Sequence, residues 1–180
     1  MDRGRYLTDS WKITIKNIGT MVVATIVLVA LSALTLGILT GPLWAGMILM
    51  YVRASRGKAV KFPEMFNCMY RILPMLGAGL LICILVTVGL VLLIVPGLLV
   101  ASWMLFAIPL MADKEMGIME AMRASKSAVG KVGVWMNLLL ILVTAVIVSL
   151  GGAVAGLGAL IAVPVSVGMV AMAYKDISKA

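Results

Sequence analysis

What most constrains this chain is where its charges are absent. All 15 Lys/Arg and 7 Asp/Glu fall in four clusters, Asp2–Lys16, Arg53–Arg71, Asp113–Lys131 and Lys175–Lys179. Between them lie charge-free stretches 17–52, 72–112 and 132–174, of 36, 41 and 43 residues. One membrane-crossing helix needs about 20 apolar residues, so each stretch is roughly two crossings long. Each also carries a turn signal inside it: Gly37 to Pro42, Val95 to Gly97, and Gly151 to Gly158. A charge at the centre of a bilayer helix costs about 2.5–3.5 kcal/mol on insertion scales, and an open loop there leaves backbone groups without partners. Each stretch therefore reads as a helical hairpin, in and back out.

Three hairpins make six helices and put both termini on one side. That side receives every charge, and the positive-inside rule makes it the cytoplasm. The aromatic residues agree: Tyr6, Trp11, Tyr51, Phe62, Phe66, Tyr70, Trp135 and Tyr174 all sit near the charged clusters, where an interfacial belt belongs. Composition fits the same class. The chain is 63% hydrophobic and 12% charged, whereas soluble domains are about a quarter charged. The 180 residues allow a single membrane domain, 1–180. The apolar stretch after Lys16 is longer than a signal-peptide core of about 7–15 residues, so it reads as a retained helix. Cys68 lies in a polar segment and Cys83 in an apolar run, which makes a disulfide between them unexpected.

The hairpins resemble one another. Each follows a short amphipathic segment, at 6–17, 62–73 and 116–129, patterned like a helix lying in the interface. Pro63 is suited to a first helical position. Each return helix is expected to open at a proline, Pro42, Pro96 or Pro164, with Gly97 completing the middle turn. Gly46 and Gly168 each follow their proline by four and are expected at helix contacts. The expectation is an all-α membrane fold with a pseudo-threefold repeat, in units of about 5–53, 61–113 and 115–176. From Pro42 to Val52 there are only 11 residues, about 17 Å of helix, so a re-entrant wedge is an alternative to a full crossing.

No catalytic constellation is visible. There is no histidine, and every carboxylate lies in a charged cluster rather than beside a nucleophile. Ser32, Ser102 and Ser149 lie in apolar helices, where a hydroxyl bonds backbone or a neighbouring helix. No ionisable group interrupts the apolar stretches, as coupled transport would usually require. No cofactor and no metal ligand set is expected. The 15 methionines, with Cys68 and Cys83, would allow a Cu(I) path, but gap-filling in a packed core accounts for them. The net charge of +8, all on one face, should attract anionic headgroups at about 1 kcal/mol per basic residue. The candidate contacts are Arg53, Arg56, Lys58, Lys61, Arg71, Lys114, Arg123, Lys126 and Lys131; the alternative is that these charges set topology alone. Basic residues scattered beside a membrane give no support for nucleic-acid binding.

Three passages carry a resemblance: GPLWAGMILMYVRASRGKAVKFPEMF (41–66), LLIVPGLLVASWMLFAIPLMAD (92–113) and IMEAMRASKSAVG (118–130). With Pro96-Gly97, Pro109-Leu110, Asp113, Glu120-Ala121 and Ser125 in order, the chain resembles a group of small bacterial multi-pass membrane proteins of unknown function. That group is similar to the membrane domain accompanying some glycerophosphodiester phosphodiesterases. The resemblance implies a multi-pass fold in the bacterial inner membrane and no particular activity; no phosphodiesterase domain is present to carry one. The function expected is a non-enzymatic protein binding lipids or partner helices, as scaffold or accessory subunit, alone or as a homo-oligomer. A passive channel is the alternative, favoured if Thr20, Thr35, Thr87, Ser102, Thr144 and Ser166 converge on one axis. A lipid-active enzyme using Glu64, Asp113 or Glu120 is a third.

Overall fold

The computed structural model describes residues 3–153 and 158–178, and these contain helices and no strand. In chain order they are α1 (Arg3–Lys16), α2 (Ile18–Leu34), α3 (Thr40–Ser55), a 3-10 segment (Phe62–Arg71), α4 (Ile72–Leu92), α5 (Ile94–Met104), α6 (Ala107–Lys114), α7 (Ile118–Val132), α8 (Val134–Ala153) and α9 (Ala159–Ile177). Four helical runs are long and apolar enough to cross a membrane: Phe62–Leu92, Ile94–Lys114, Val134–Ala153 and Ala159–Ile177. A fifth is added if Tyr6–Lys16 and Ile18–Leu34, which meet at 98°, count as one bent span. Their outer faces are apolar and open: Leu80 is 65% exposed and Leu142 60%. Apolar surface on this scale is compatible with lipid and not with water.

The core is built on α3 and α9. Of the most apolar window of α9, 72% is buried, against 6% for α8. α9 touches α1, α2, α3 and α8, so it has neighbours on most sides. Its sequence explains how: Ala162, Ser166, Gly168, Ala171 and Ala173 are small, and small residues let helix backbones approach closely where lipid gives no hydrophobic drive for association. At Gly168 a Cβ would stand 2.7 Å from Ser10 Cβ and 2.7 Å from Tyr51 Cε1. At Gly46 a Cβ would overlap the Met65 carbonyl oxygen of the 3-10 segment. That segment winds three residues per turn, which lines up Phe62, Met65 and Cys68 against α3; Met65 and Cys68 are buried.

The turns differ in detail from expectation. α2 ends in a Schellman arrangement, with Gly37 N–H donating to Ser32 O (2.7 Å) and Leu36 N–H to Ala33 O (3.3 Å). The left-handed position there is held by Leu36 (φ 51°) with Gly37 (φ 85°) after it. α3 starts two residues before Pro42 and runs to Ser55, about 24 Å rather than the 17 Å counted from the proline. α4 and α5 are separated by the single extended residue Leu93. Pro96 and Gly97 therefore lie in the first turn of α5 and do not form the turn itself. Gly97 is nonetheless demanded, since a Cβ there would lie 2.6 Å from Leu90 N. Pro164, expected to open the third return helix, lies inside α9. The helix begins earlier because Gly151 and Gly158 bring the backbones together, a Cβ on Gly158 falling 2.5 Å from Gly151 O. The tip of that turn, 154–157, is outside the described residues.

The break between α5 and α6 follows from Pro109. Proline has no N–H, and its ring displaces the carbonyl four residues back, which is Leu105. The chain unwinds at Leu105–Phe106. Unwinding frees the Ser102 carbonyl and the Phe106 N–H, which an intact helix would pair with each other. Two side chains from other helices take them. Asn137 of α8 donates Nδ2–H to Ser102 O (2.7 Å), and Phe106 N–H donates to Ser125 Oγ of α7 (3.3 Å). Ser125 in turn donates to Trp103 O (2.5 Å). Broken helices survive in apolar surroundings when such groups are paired again.

Two outcomes are expected. Gly46→Ala should destabilise the protein by about 1–3 kcal/mol through overpacking, while Gly79→Ala, with open space at its Cβ, should cost nothing; equal shifts in unfolding midpoint in detergent would refute the contact. Ser125→Ala should cost about 1–3 kcal/mol by leaving buried backbone groups unpaired, read in the same assay; a midpoint within a few tenths of wild type would show that the hydroxyl does not hold the break.

Candidate functional site: a basic recess at the end of α3

α3 ends in a second Schellman arrangement. Gly57 N–H donates to Ala54 O (3.0 Å) and Lys58 N–H to Arg53 O (3.3 Å), with Gly57 at φ +73°. This left-handed residue folds the chain back over the helix end. Arg53, Arg56 and Lys58 are thereby placed around one recess of about 350 Å³. The opposite walls are Asn67, Cys68 and Tyr70 of the 3-10 segment and Asp113 at the end of α6, with Leu49 and Val52 of α3 beneath. All three cations are exposed.

The recess is held in place by polar contacts around it. Glu64 lies 3.1 Å from the Arg53 guanidinium. The Tyr174 hydroxyl donates to Asp113 (2.8 Å), tying α9 to α6, and that of Tyr70 donates to Glu115 (2.6 Å). Arg71 donates to the Met111 and Met116 carbonyls (3.2 and 3.3 Å), clamping the turn between α6 and α7. Lys175 Nζ donates to Ser55 O (3.3 Å), a cation on the last carbonyls of α3 where the helix dipole favours one. Three cations against Asp113 leave the recess positive even with Glu64 beside Arg53. Such a site can take an anionic group with two or three oxygens, bonded by the guanidiniums and an ammonium.

The nine cations singled out in the sequence do not act as one group. Arg53, Arg56 and Lys58 converge. Arg71 is committed to backbone carbonyls, and Lys126 sits 4.7 Å from the centre of the Trp103 ring. Lys61, Lys114, Arg123 and Lys131 are exposed elsewhere on the charged end. Sequence reasoning missed a second basic recess of about 400 Å³, on the other side of the same turn, lined by Asp9, Lys12, Lys16 and Lys175 with Ala54, Ser55 and Gly57. Its signal was present in Lys12 and Lys16, four apart on one face of α1. It also treated the tyrosines as a generic belt, whereas each hydroxyl joins two elements: Tyr6 to Asp176 (2.7 Å), Tyr51 with Thr14 (2.7 Å), and the two pairs above.

Of the carboxylates weighed for catalysis, Glu64 lies against Arg53 and Asp113 accepts from Tyr174. Cys68 is buried in the recess wall and Cys83 is exposed on α4, both as free thiols. Among the described residues no three His, Cys, Asp or Glu side chains gather as a metal site. Of the six hydroxyls proposed for a pore, that of Ser166 is buried without a hydrogen-bond partner on its Oγ among the described residues. Thr35 donates to Leu31 O and Thr144 to Leu140 O within their own helices, Ser102 pairs with Asn137, and Thr87 is exposed. Comparison with protein-family models, with curated proteins and with solved structures finds no match for this chain.

The turn that builds the recess gives a prediction. A side chain at the left-handed Gly57 is strained by about 1–2 kcal/mol, although its Cβ would meet nothing within 4 Å. Gly57→Ala should therefore lower the unfolding midpoint by that amount, whereas Gly19→Ala, with equal space and no positive φ, should not. Equal midpoints would refute the conformational argument.

Proposed function

We propose that this chain is a non-enzymatic protein of the bacterial inner membrane that holds anionic lipid headgroups at its cytoplasmic face, as a scaffold or accessory subunit for partner helices. The observation that carries the reading is the recess: three of the lipid-contact candidates meet in a concave site at the charged end of an apolar helical bundle. Phosphate oxygens of a headgroup match guanidinium and ammonium donors in charge and geometry. The negative surface potential of the cytoplasmic leaflet would add to the attraction.

The finer topology belongs to the same proposal. Six crossings in three hairpins, repeated with pseudo-threefold symmetry, place both termini in the cytoplasm. Supporting this, each charge-free stretch holds a long helix and a return helix behind an amphipathic element, and the charged ends of α3, α6 and α9 meet. α2 and α3 span about 26 and 24 Å, a little short of the ~30 Å hydrocarbon core. Local thinning and snorkelling of Arg53 would close the difference.

Native mass spectrometry of the detergent-solubilised protein, titrated with phosphatidylglycerol against phosphatidylcholine, tests the site. Removing two cations with Arg56→Gln/Lys58→Gln should cost about 2 kcal/mol, roughly 30-fold in preference for the anionic lipid. Lys114→Gln/Lys131→Gln, of equal charge change, should cost far less. Equal losses in the two double variants would reduce the recess to a share of overall charge and sink the proposal.

A further inference from the structure

A groove runs between α8 and α9 beneath Tyr6 and Leu7 of α1. It measures about 250 Å³, more than the ~150 Å³ apolar cavities that stay dry and take up benzene. We propose that it holds one acyl chain of a lipid from the leaflet on the charged side.

The chemistry of the walls selects hydrocarbon. Eleven residues line the groove, and only Tyr6 and Asn137 among them have side-chain oxygen or nitrogen. The Tyr6 hydroxyl donates to Asp176 and the Asn137 amide to Ser102, so these donors are already spent on the protein. A polar ligand would lose its water here and gain too little in return.

Direction and depth fit one leaflet. At the charged end the groove is lined by Val132 and Ile177, next in sequence to Lys131 and Asp176, and it reaches Val143 on α8. The lining runs from Met136 to Val143 on α8 and from Met169 to Ile177 on α9, about 10 and 12 Å of helix, which fits within the ~15 Å of half the hydrocarbon core. A lipid seated there would keep its headgroup among charges and its chain among Leu140, Val143 and Met169. α8 itself is little covered by the rest of the chain, so the groove is open sideways to lipid. The inference rests on the protein's being membrane-embedded and is independent of the basic recess.

The test is photo-cross-linking of the full chain in vesicles containing a phosphatidylcholine with a diazirine midway along one acyl chain, adducts being located by peptide mass spectrometry. The neutral headgroup separates this site from the anionic recess, and Arg56→Gln/Lys58→Gln should leave the labelling unchanged. Adducts are expected at Leu140, Val143 and Met169 at several times the level on Leu80 and Leu85 of the open face of α4. Ala173→Phe, which fills the groove, should remove them, and Ala145→Phe on the exposed face of α8 should not. Even labelling of the two faces in the wild type, or a groove left unlabelled because another chain fills it, would overturn the proposal whether or not the filled variant folds.

Discussion

The arrangement depends on the absent side chain at Gly168. There α1, α3 and α9 converge, with Ser10 and Tyr51 both occupying the space a Cβ would need. The Thr14–Tyr51 hydrogen bond (2.7 Å) lies in the same contact and fixes how α1 crosses α3. Any side chain at Gly168 would push α1 or α3 outward, and both basic recesses are bounded by the end of α3. A contact between helix backbones thus sets the position of cations at the surface. Dispersion between closely packed atoms, strong only when helices touch, is the force available for this where water is absent.

The second dependence is polar. Proline inside an apolar helix frees a donor and an acceptor that lipid cannot satisfy. Here Asn137 and Ser125 satisfy them, and each comes from a different helix. The break between α5 and α6 is therefore also a joint to α7 and α8. α8 packs mainly on α9 and, to a lesser extent, on α5. A single bend, caused by Pro109, recruits two further helices because its unpaired groups would otherwise each cost on the order of 1–3 kcal/mol.

Charge spacing makes the helical, membrane-adapted nature of the chain legible in the sequence. The charge-free stretches mark where the long helices lie, and the amphipathic segments appear close to their expected limits. Gly46 was legible as a close contact because it follows Pro42 by a single helical turn. What escaped was set by contacts distant in sequence. Pro164 reads as a helix start, but the opening of α9 is decided by Gly151 meeting Gly158, a backbone contact no local pattern records. Arg71 reads as one more interfacial cation, yet carbonyls about 40 residues away claim its guanidinium. The recess was half legible: Arg53, Arg56 and Lys58 stand together in sequence, but that Gly57 turns them inward, opposite Asp113, needs the fold.

The placement of cations at the end of α3 joins two demands that usually compete. Helix C-termini leave carbonyls without partners, and a positive side chain near them is favourable by about 0.3–1 kcal/mol. Lys175 meets that need directly on the Ser55 carbonyl. The Schellman turn satisfies the carbonyls of Arg53 and Ala54 through backbone N–H groups, so Arg56 and Lys58 need not cap the helix. Arg53 has Glu64 beside it, which restrains its position without cancelling the other two charges. The stability of the helix end is thus supplied by Gly57 and Lys175, while Arg56 and Lys58 remain open to an external anion. That division makes a ligand-binding reading physically coherent: the charges that could bind are not the charges that hold the turn together.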